Sequence, residues 1–224
     1  MKCVVTAGPS YEELDQVRRL TNFSTGTLGS QLADYLVEQG HEVELLRGHY
    51  STCRPETKTQ RLQIFTTGAD LSRRLEELRG TEVGALFHAA AIGDFAFGKI
   101  WRGTVGGELT EVVSPKIATR GEPLLAELRP TPKIIARLRT LFPAARLIGW
   151  KFEVEGGRNR VVVAAARQMK ENQTDACVAN GPGYGTGFGL VTGSGHCRHL
   201  PQKEDLFAAL ASLLKLDRSD ASQS

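Results

Sequence analysis

No apolar run in this chain approaches the roughly 18 residues that a membrane-spanning helix needs, and the amino terminus carries no apolar signal core. Both absences point to a cytoplasmic protein with no membrane partner. Cysteine is sparse: Cys3, Cys53, Cys177 and Cys197 are scattered, with no Cys-x-x-Cys among them. Cys3 and Cys177 fall inside apparent strands and read as reduced core thiols rather than a disulfide framework. His196–Cys197–Arg198–His199 holds metal-ligating residue types, but they alternate along a strand and no second cluster completes a zinc set. Clustered basic stripes are missing, so nucleic acid is not an expected partner. Internal repeats and Pro/Ser-rich linkers are missing too.

What is present has the balance of a soluble globular domain: 41% hydrophobic and 24% charged residues in 224. A chain of this length buries roughly 70–75% of its unfolded surface, so one core forms without staples. The net charge of +3 fits either a basic pocket for a small anion or a merely basic surface.

Val4–Ala7 is β-branched and apolar, a buried strand, and it empties into the turn Gly8–Pro9–Ser10. The next helix begins only near Gly26, although such loops usually take about 2–6 residues. The loop between carries Asp15, Arg18, Arg19, Asn22, Ser24 and Thr25 and closes on Gly26 and Gly29. A long polar, basic loop at the carboxyl end of a first strand is where an α/β sheet binds its ligand, here an anionic and phosphorylated one. Leu28, Leu32, Tyr35 and Leu36 then recur at helical spacing up to Gly40. Strands follow at 41–47 and 62–65, a helix on Leu71, Leu75 and Leu78, and a strand at Val83–Ala91 that spills into Gly93–Asp94. Residues 95–128 break the rhythm and read as a protruding flap or hairpin. Alternation resumes with a helix at 131–142, a strand at 145–150, a helix at 158–172, a strand at 175–180, a hairpin at 188–200 and a helix at 203–216. Residues 217–224 read as a disordered tail. This order predicts one α/β domain over 1–216: a doubly wound, mostly parallel, Rossmann-like three-layer sheet with a β-flap.

Dinucleotide binding fails on three counts. Gly8 is followed by Pro9, and the next glycine is Gly26, so the Gly-x-Gly-x-x-Gly spacing is absent. The second strand ends in Leu45–Leu46–Arg47, with no acidic residue for a ribose hydroxyl. None of Tyr11, Tyr35, Tyr50 and Tyr184 has a lysine four residues on. An NAD(P)-dependent oxidoreductase is therefore disfavoured. Ser24–Thr25–Gly26 instead reads as a helix start whose free N–H groups hold phosphate oxygens, or as a plain N-cap. Arg18 and Asn22 before it, Asp94 at another strand end, Lys116 in an otherwise uncharged stretch, and Lys170 and Asn180 flanking the last strand favour the phosphate site.

Thr6-Ala7-Gly8-Pro9-Ser10, followed by Asp15-x-Val17-Arg18-x-x-x-Asn22-x-Ser24-x-Gly26-x-x-Gly29, resembles the opening of phosphopantothenoylcysteine synthetases (phosphopantothenate–cysteine ligases). Ala89–Asp94 resembles that family's Ala-Ala-Ala-Val-Ala-Asp turn, and Pro115-Lys116-Ile117 the start of its Lys-x-Lys-Lys motif. Pro130–Ile134, Ile148-Gly149-Trp150 and Asp175–Asn180 match later family segments in order. The resemblance implies a ligase of coenzyme A biosynthesis that joins 4′-phosphopantothenate to cysteine through an acyl-nucleotide made from CTP or ATP with Mg²⁺. It implies catalytic roles for Asn22, Lys116 and Arg18. Nucleotide contacts would come from Gly8, Ser10, Ser24, Thr25, Gly26, Ala89, Ala90, Asp94, Thr131, Pro132, Trp150 and Lys170, and substrate contacts from Asn22, Ala91 and Asn180. Magnesium would ride on the triphosphate, with no protein ligand assigned. Family members are dimers in which the irregular middle segment reaches the partner, so residues 95–128 are expected to do so. The chain begins at the synthetase's first strand, so no flavin-binding decarboxylase and no FMN are expected. Ala118 and Thr119 replace later lysines of the Lys-x-Lys-Lys motif and Gly93 replaces an alanine. These departures leave CTP or ATP open and keep a non-catalytic nucleotide-binding domain as the alternative.

Overall fold

The computed structural model describes residues 1–53, 57–59, 61–119, 121–193 and 195–215; the tail expected at 217–224 lies outside them. In chain order the first elements are β1 (Lys2–Ala7), β2 (Tyr11–Glu13), β3 (Arg19–Thr21), α1 (Thr27–Glu38), β4 (Glu42–Gly48), β5 (Arg61–Phe65) and α2 (Gly68–Glu77). Next come β6 (Val83–His88), β7 (Phe95–Arg102), β8 (Thr110–Glu111), β9 (Leu124–Pro130), α3 (Ile135–Leu141) and β10 (Arg146–Phe152). The chain continues through α4 (Gly157–Asn172), β11 (Ala176–Asn180), β12 (Phe188–Thr192), β13 (His196–Leu200) and α5 (Lys203–Leu213).

Among the described residues the main sheet has eight strands, in the order β13-β12-β11-β10-β6-β1-β4-β5. The run from β5 to β11 is parallel, and β12 and β13 close the edge antiparallel. A parallel sheet needs cover on both faces, and the strands are built for it. Cys3 and Val5 of β1 join Leu32 and Leu36 of α1 and Leu206 and Leu210 of α5 in one core. Val4, between them, points the other way, toward Leu71 and Leu75 of α2 and Leu138 of α3. Val161 and Met169 of α4 cover Cys177 and Val191 on that second side. The result is three layers, as the alternation of elements predicts.

Three local readings need correction. The long loop after β1 is not irregular: Tyr11–Glu13 pairs with Arg19–Thr21 as a hairpin. β6 stops at His88 rather than Ala91: beyond it Ala89 and Ala91 still donate to the Thr6 and Gly8 carbonyls at 3.1 and 2.9 Å, but only an isolated bridge from Ala91 to Pro9 remains of the pairing. α3 starts at Ile135 rather than Thr131, since Pro132 holds Thr131 out of helical geometry. The middle segment forms its own three-stranded sheet, β8-β7-β9, which runs on to Pro130.

α1 meets β1 at very close range. A Cβ on Gly29, in the helix's first turn, would stand 2.7 Å from Ala7 Cβ. Gly29→Ala is expected to cost about 1–3 kcal/mol through overpacking, seen as a lower urea midpoint at unchanged m.

Candidate functional site

The sheet grows outward from β1 in both directions, through β4 on one side and β6 on the other. The carboxyl ends of strands at such a reversal form a crevice that open α/β sheets use for ligands. Here the crevice is a cleft of about 710 Å³ lined by residues 22–29, 89–92, 94, 133, 150–152, 168 and 180. That volume falls within the roughly 300–1,000 Å³ typical of small-molecule sites.

One wall is the start of α1. Gly26 is its N-cap at φ +75°, and no side chain among the described residues caps the helix. Ser24 and Thr25 therefore do not act as the simple caps the sequence allowed. Thr25 Oγ1 instead lies 2.8 Å from Thr27 Oγ1 and accepts the Thr27 N–H at 3.3 Å. The remaining first-turn N–H groups keep their dipole toward the cleft, which suits an anion. Glycine is required at the cap by conformation and by space: a Cβ on Gly26 would lie 2.7 Å from Ser51 Oγ and 3.2 Å from Gly8 Cα.

The opposite wall comes from strand ends. Trp150 is in register with Val178, and Phe152 with Asn180, so Trp150, Phe152 and Asn180 share the α1 face of the sheet. Trp150 Nε1 and Asn180 Oδ1 are both buried and, among the described residues, without a hydrogen-bond partner. Buried polar groups are ordinarily paired, so a donor and an acceptor stand ready for a ligand in the cleft.

The floor is cross-tied. Asn22 Nδ2 and Ser10 N both donate to the Ala91 carbonyl, at 3.2 and 3.1 Å, and Ser10 Oγ accepts the Gly93 N–H at 2.9 Å. Behind them His88 is buried, its Nδ1 2.9 Å from Thr6 Oγ1. Burial pushes its pKa down to about 4.

The structure thus gathers Asn22, Ser24, Thr25, Gly26, Ala89, Ala90, Ala91, Asp94, Trp150 and Asn180 around one cleft. Thr131 and Pro132 line a smaller cavity beside it. Five residues expected at the site lie outside the lining of both cavities: Gly8, Ser10, Arg18, Lys116 and Lys170. Gly8 packs beneath Gly26, and Ser10 is fully buried in the cross-tie. Lys170 is exposed in the last turn of α4, which runs back from the end of β10 and so finishes away from the strands' carboxyl ends. Arg18 forms an ion pair with Asp15, and its Nη2 also donates to the Ile117 carbonyl at 2.7 Å. Asp15 in turn accepts the Ile117 N–H at 3.1 Å. The Arg18 guanidinium, with the Val17, Ile117 and Arg18 N–H groups, holds the Asp15 carboxyl well below the usual carboxylate range. Arg18 is therefore a clamp on the flap segment, and Lys116 is the residue next to the clamped one.

Lining residues that the sequence reading missed include Phe23, Thr27, Lys133, Lys151, Phe152 and Gln168. Lys133 pairs with Asp94, and Lys151 with Glu153 at 2.9 Å. A usable signal existed for Lys151, which closes a strand beside Trp150. Gln168 sits mid-helix, where nothing in the sequence marks it. At the antiparallel edge, His199 Nδ1 meets the Tyr184 hydroxyl at 3.0 Å. Among the described residues no three His, Cys, Asp or Glu side chains converge as a metal site.

Fold and cleft together define an α/β domain with a cleft of small-molecule size at its sheet's switch point. The chain belongs to the family described as the DNA/pantothenate metabolism flavoprotein C-terminal domain, whose pattern matches residues 1–204. This agrees with the likeness to phosphopantothenoylcysteine synthetases carried by its motifs. It is similar to the coenzyme A biosynthesis bifunctional protein CoaBC of Thermococcus kodakarensis, 32% identical over 179 residues, or 80% of this chain and 41% of that protein. The chain thus spans less than half the length of that relative. The crystal structure of the DNA/pantothenate metabolism flavoprotein from Streptococcus pneumoniae superposes with a TM-score of 0.81 at 24% identity, covering 96% of this chain and 98% of that one. A Cab2 variant in complex with phosphopantothenate-cysteine shares the fold at TM-score 0.70 and 17% identity, covering 96% and 86%. Among the described residues no helix is long and apolar enough to cross a membrane.

Proposed function

We propose that this domain is a ligase that joins 4′-phosphopantothenate to cysteine through an acyl-nucleotide, using CTP or ATP. The observation that carries the reading is the uncapped start of α1 in a cleft at the sheet's switch point, within a chain of this family. In the first step a carboxylate oxygen attacks the α-phosphorus and pyrophosphate leaves. In the second, the amine attacks the acyl carbon and the nucleoside monophosphate leaves.

The first-turn N–H groups of α1 hold phosphate oxygens. Trp150 and Asn180 offer their unpaired donor and acceptor to the nucleotide. Asn22, tied to the Ala91 carbonyl, stands where the acyl group would lie. Magnesium would accompany the triphosphate. Arg18 is a positioning residue that acts on Lys116 through Ile117. The flap β7–β9 is the part of the chain that would reach a second copy in a homodimer.

The test is pyrophosphate release that requires both a nucleoside triphosphate and 4′-phosphopantothenate, with phosphopantothenoylcysteine detected by mass once cysteine is added. Triphosphate binding without pyrophosphate release would overturn the ligase reading and leave a non-catalytic nucleotide-binding domain, which the placement of Lys116 outside the cleft favours. Binding itself is read by thermal shift, where ligand at 100 times its Kd adds about 2.7 kcal/mol. A selective response to NADPH would oppose both readings.

Asn22→Asp is expected to spare pyrophosphate release more than amide formation. A carboxylate cannot donate to Ala91 and repels the phosphate of the acyl-nucleotide. Quenched-flow detection of the acyl-nucleotide, with and without cysteine, separates the two steps; an equal fall in both removes any separate role for Asn22.

A further inference from the structure

Arg18 and Arg19 are neighbours at the return of the hairpin β2–β3, yet they hold different bodies. Arg18 clamps the flap through Ile117. Arg19 lies over the Tyr11 ring, its guanidinium carbon 4.5 Å from the ring centroid and 5.7 Å from that of Tyr50. It also donates from Nη1 to the Tyr50 hydroxyl and pairs with Glu13 at 3.7 Å. Glu13 and Arg19 are in cross-strand register, and Tyr11 and Thr21 are the next pair on the same face.

The stack is fastened at its base. Tyr11 is only 6% exposed, and its ring lies 5.2 Å from Tyr50 and 6.4 Å from His49. Its N–H donates to the Thr66 carbonyl at 3.0 Å. His49 and Tyr50 directly follow β4, and the His49 N–H donates to the Phe65 carbonyl at the end of β5, at 2.9 Å. Arg19 therefore rests on a platform fixed to the ends of β4 and β5. Arginine suits this place because its planar guanidinium lies flat on one ring while its edge reaches the hydroxyl of another.

Arg19 lies outside the lining of both cavities, so it does not act by touching what the cleft holds. Its influence runs along the strand. Two residues on, Thr21 Oγ1 donates to the Ser10 carbonyl at 2.8 Å, and the next residue, Asn22, donates to the Ala91 carbonyl at the cleft. We propose that Arg19 is a positioning residue: by holding β3 against the strand ends it sets where Asn22 enters the cleft. Its consequence for catalysis rests on the ligase reading; the placement of Asn22 does not.

The experiment is ¹⁵N-resolved NMR of the full chain as wild type, Arg19→Met, Arg19→Lys and Tyr50→Phe, followed by kinetics on the same proteins. In Arg19→Met the Asn22 side-chain amide signals are expected to move, while the Trp150 indole N–H, on the opposite wall, stays in place. Arg19→Lys keeps the charge but not the flat stack, and should give the same change to a smaller degree. Tyr50→Phe removes only the hydroxyl acceptor, should act in the same direction, and decides if Arg19→Met does not fold. In the ligase assay kcat for Arg19→Met should fall about tenfold, as misplacement of a substrate-facing group does, with the nucleotide KM nearly unchanged. Asn22 signals that stay put in every folded variant overturn the proposal. So does an Arg19→Lys protein indistinguishable from wild type, which would mean that charge alone matters, or a KM that rises as far as kcat falls. Displaced Asn22 signals in a protein whose wild type releases no pyrophosphate would sink the ligase reading alone.

Discussion

Replacing Lys116 by methionine is expected to lower kcat by about 10²–10³ while the fold stays intact, the loss typical of one electrostatic contact at a developing charge. The stretch around it is not the loose segment that its composition suggests. Gln16 N–H donates to the Pro115 carbonyl at 3.0 Å, and Ile117, only 2% exposed, is held at its N–H by Asp15 and at its carbonyl by Arg18. Lys116 is exposed between these anchors, so its base is fixed while the ammonium is free to swing. Removing an exposed charge changes stability by no more than ~0.5 kcal/mol, which a urea titration checks. The KM for nucleotide should rise less than kcat falls, because the contact tightens in the transition state. Near-native kcat in Lys116→Met would mean that the cations inside the cleft, Lys133 and Lys151, carry the charge instead.

The second large effect is on stability, and its sign follows from His88. Burial lowers its folded pKa from 6.5 to about 4. Between those values the unfolded chain binds a proton that the folded protein refuses, so stability is fully present above pH 6.5 and falls as pH drops toward 4. The full loss is ~3 kcal/mol at 1.36 kcal/mol per unit. His88→Gln removes this titration, so its stability should fall less steeply over the same window. His41, whose pKa is also lowered by burial, contributes in the same direction but is present in both proteins. Asp15 has a lowered pKa and titrates in more acid solution, below the window. Denaturant titrations at a series of pH values on both proteins give the difference; parallel curves would mean that His88 is not held neutral.

The layered sheet was legible because period and burial repeat along the chain. Val4 faces one core and Val5 the other, and the same two-sided apolar pattern marks the central parallel strands. The pocket wall at Asn22–Gly26 was legible because a long polar loop after a first strand has few other uses. Arg18 misled because charge and spacing say nothing of direction: only the folded hairpin β2–β3 turns it toward Asp15 and the flap. Lys170 misled because its helix returns antiparallel to the strands, which carries its last turn away from the strands' carboxyl ends.

The sequence by itself determined the alternation of strands and helices, the glycines at positions 26 and 29, and the family motifs, since each is a local matter of periodicity, steric size or short-range order. Tertiary structure alone decided which strand ends converge. The register of β10 with β11 sets Trp150 and Asn180 on one face, and the turn after β6 brings Ala91 under Asn22. It also decided that Lys133, from the turn before α3, meets Asp94 across 39 residues of chain and borders a second cavity. Such meetings depend on packing between segments distant in sequence, and no residue's own propensity encodes them.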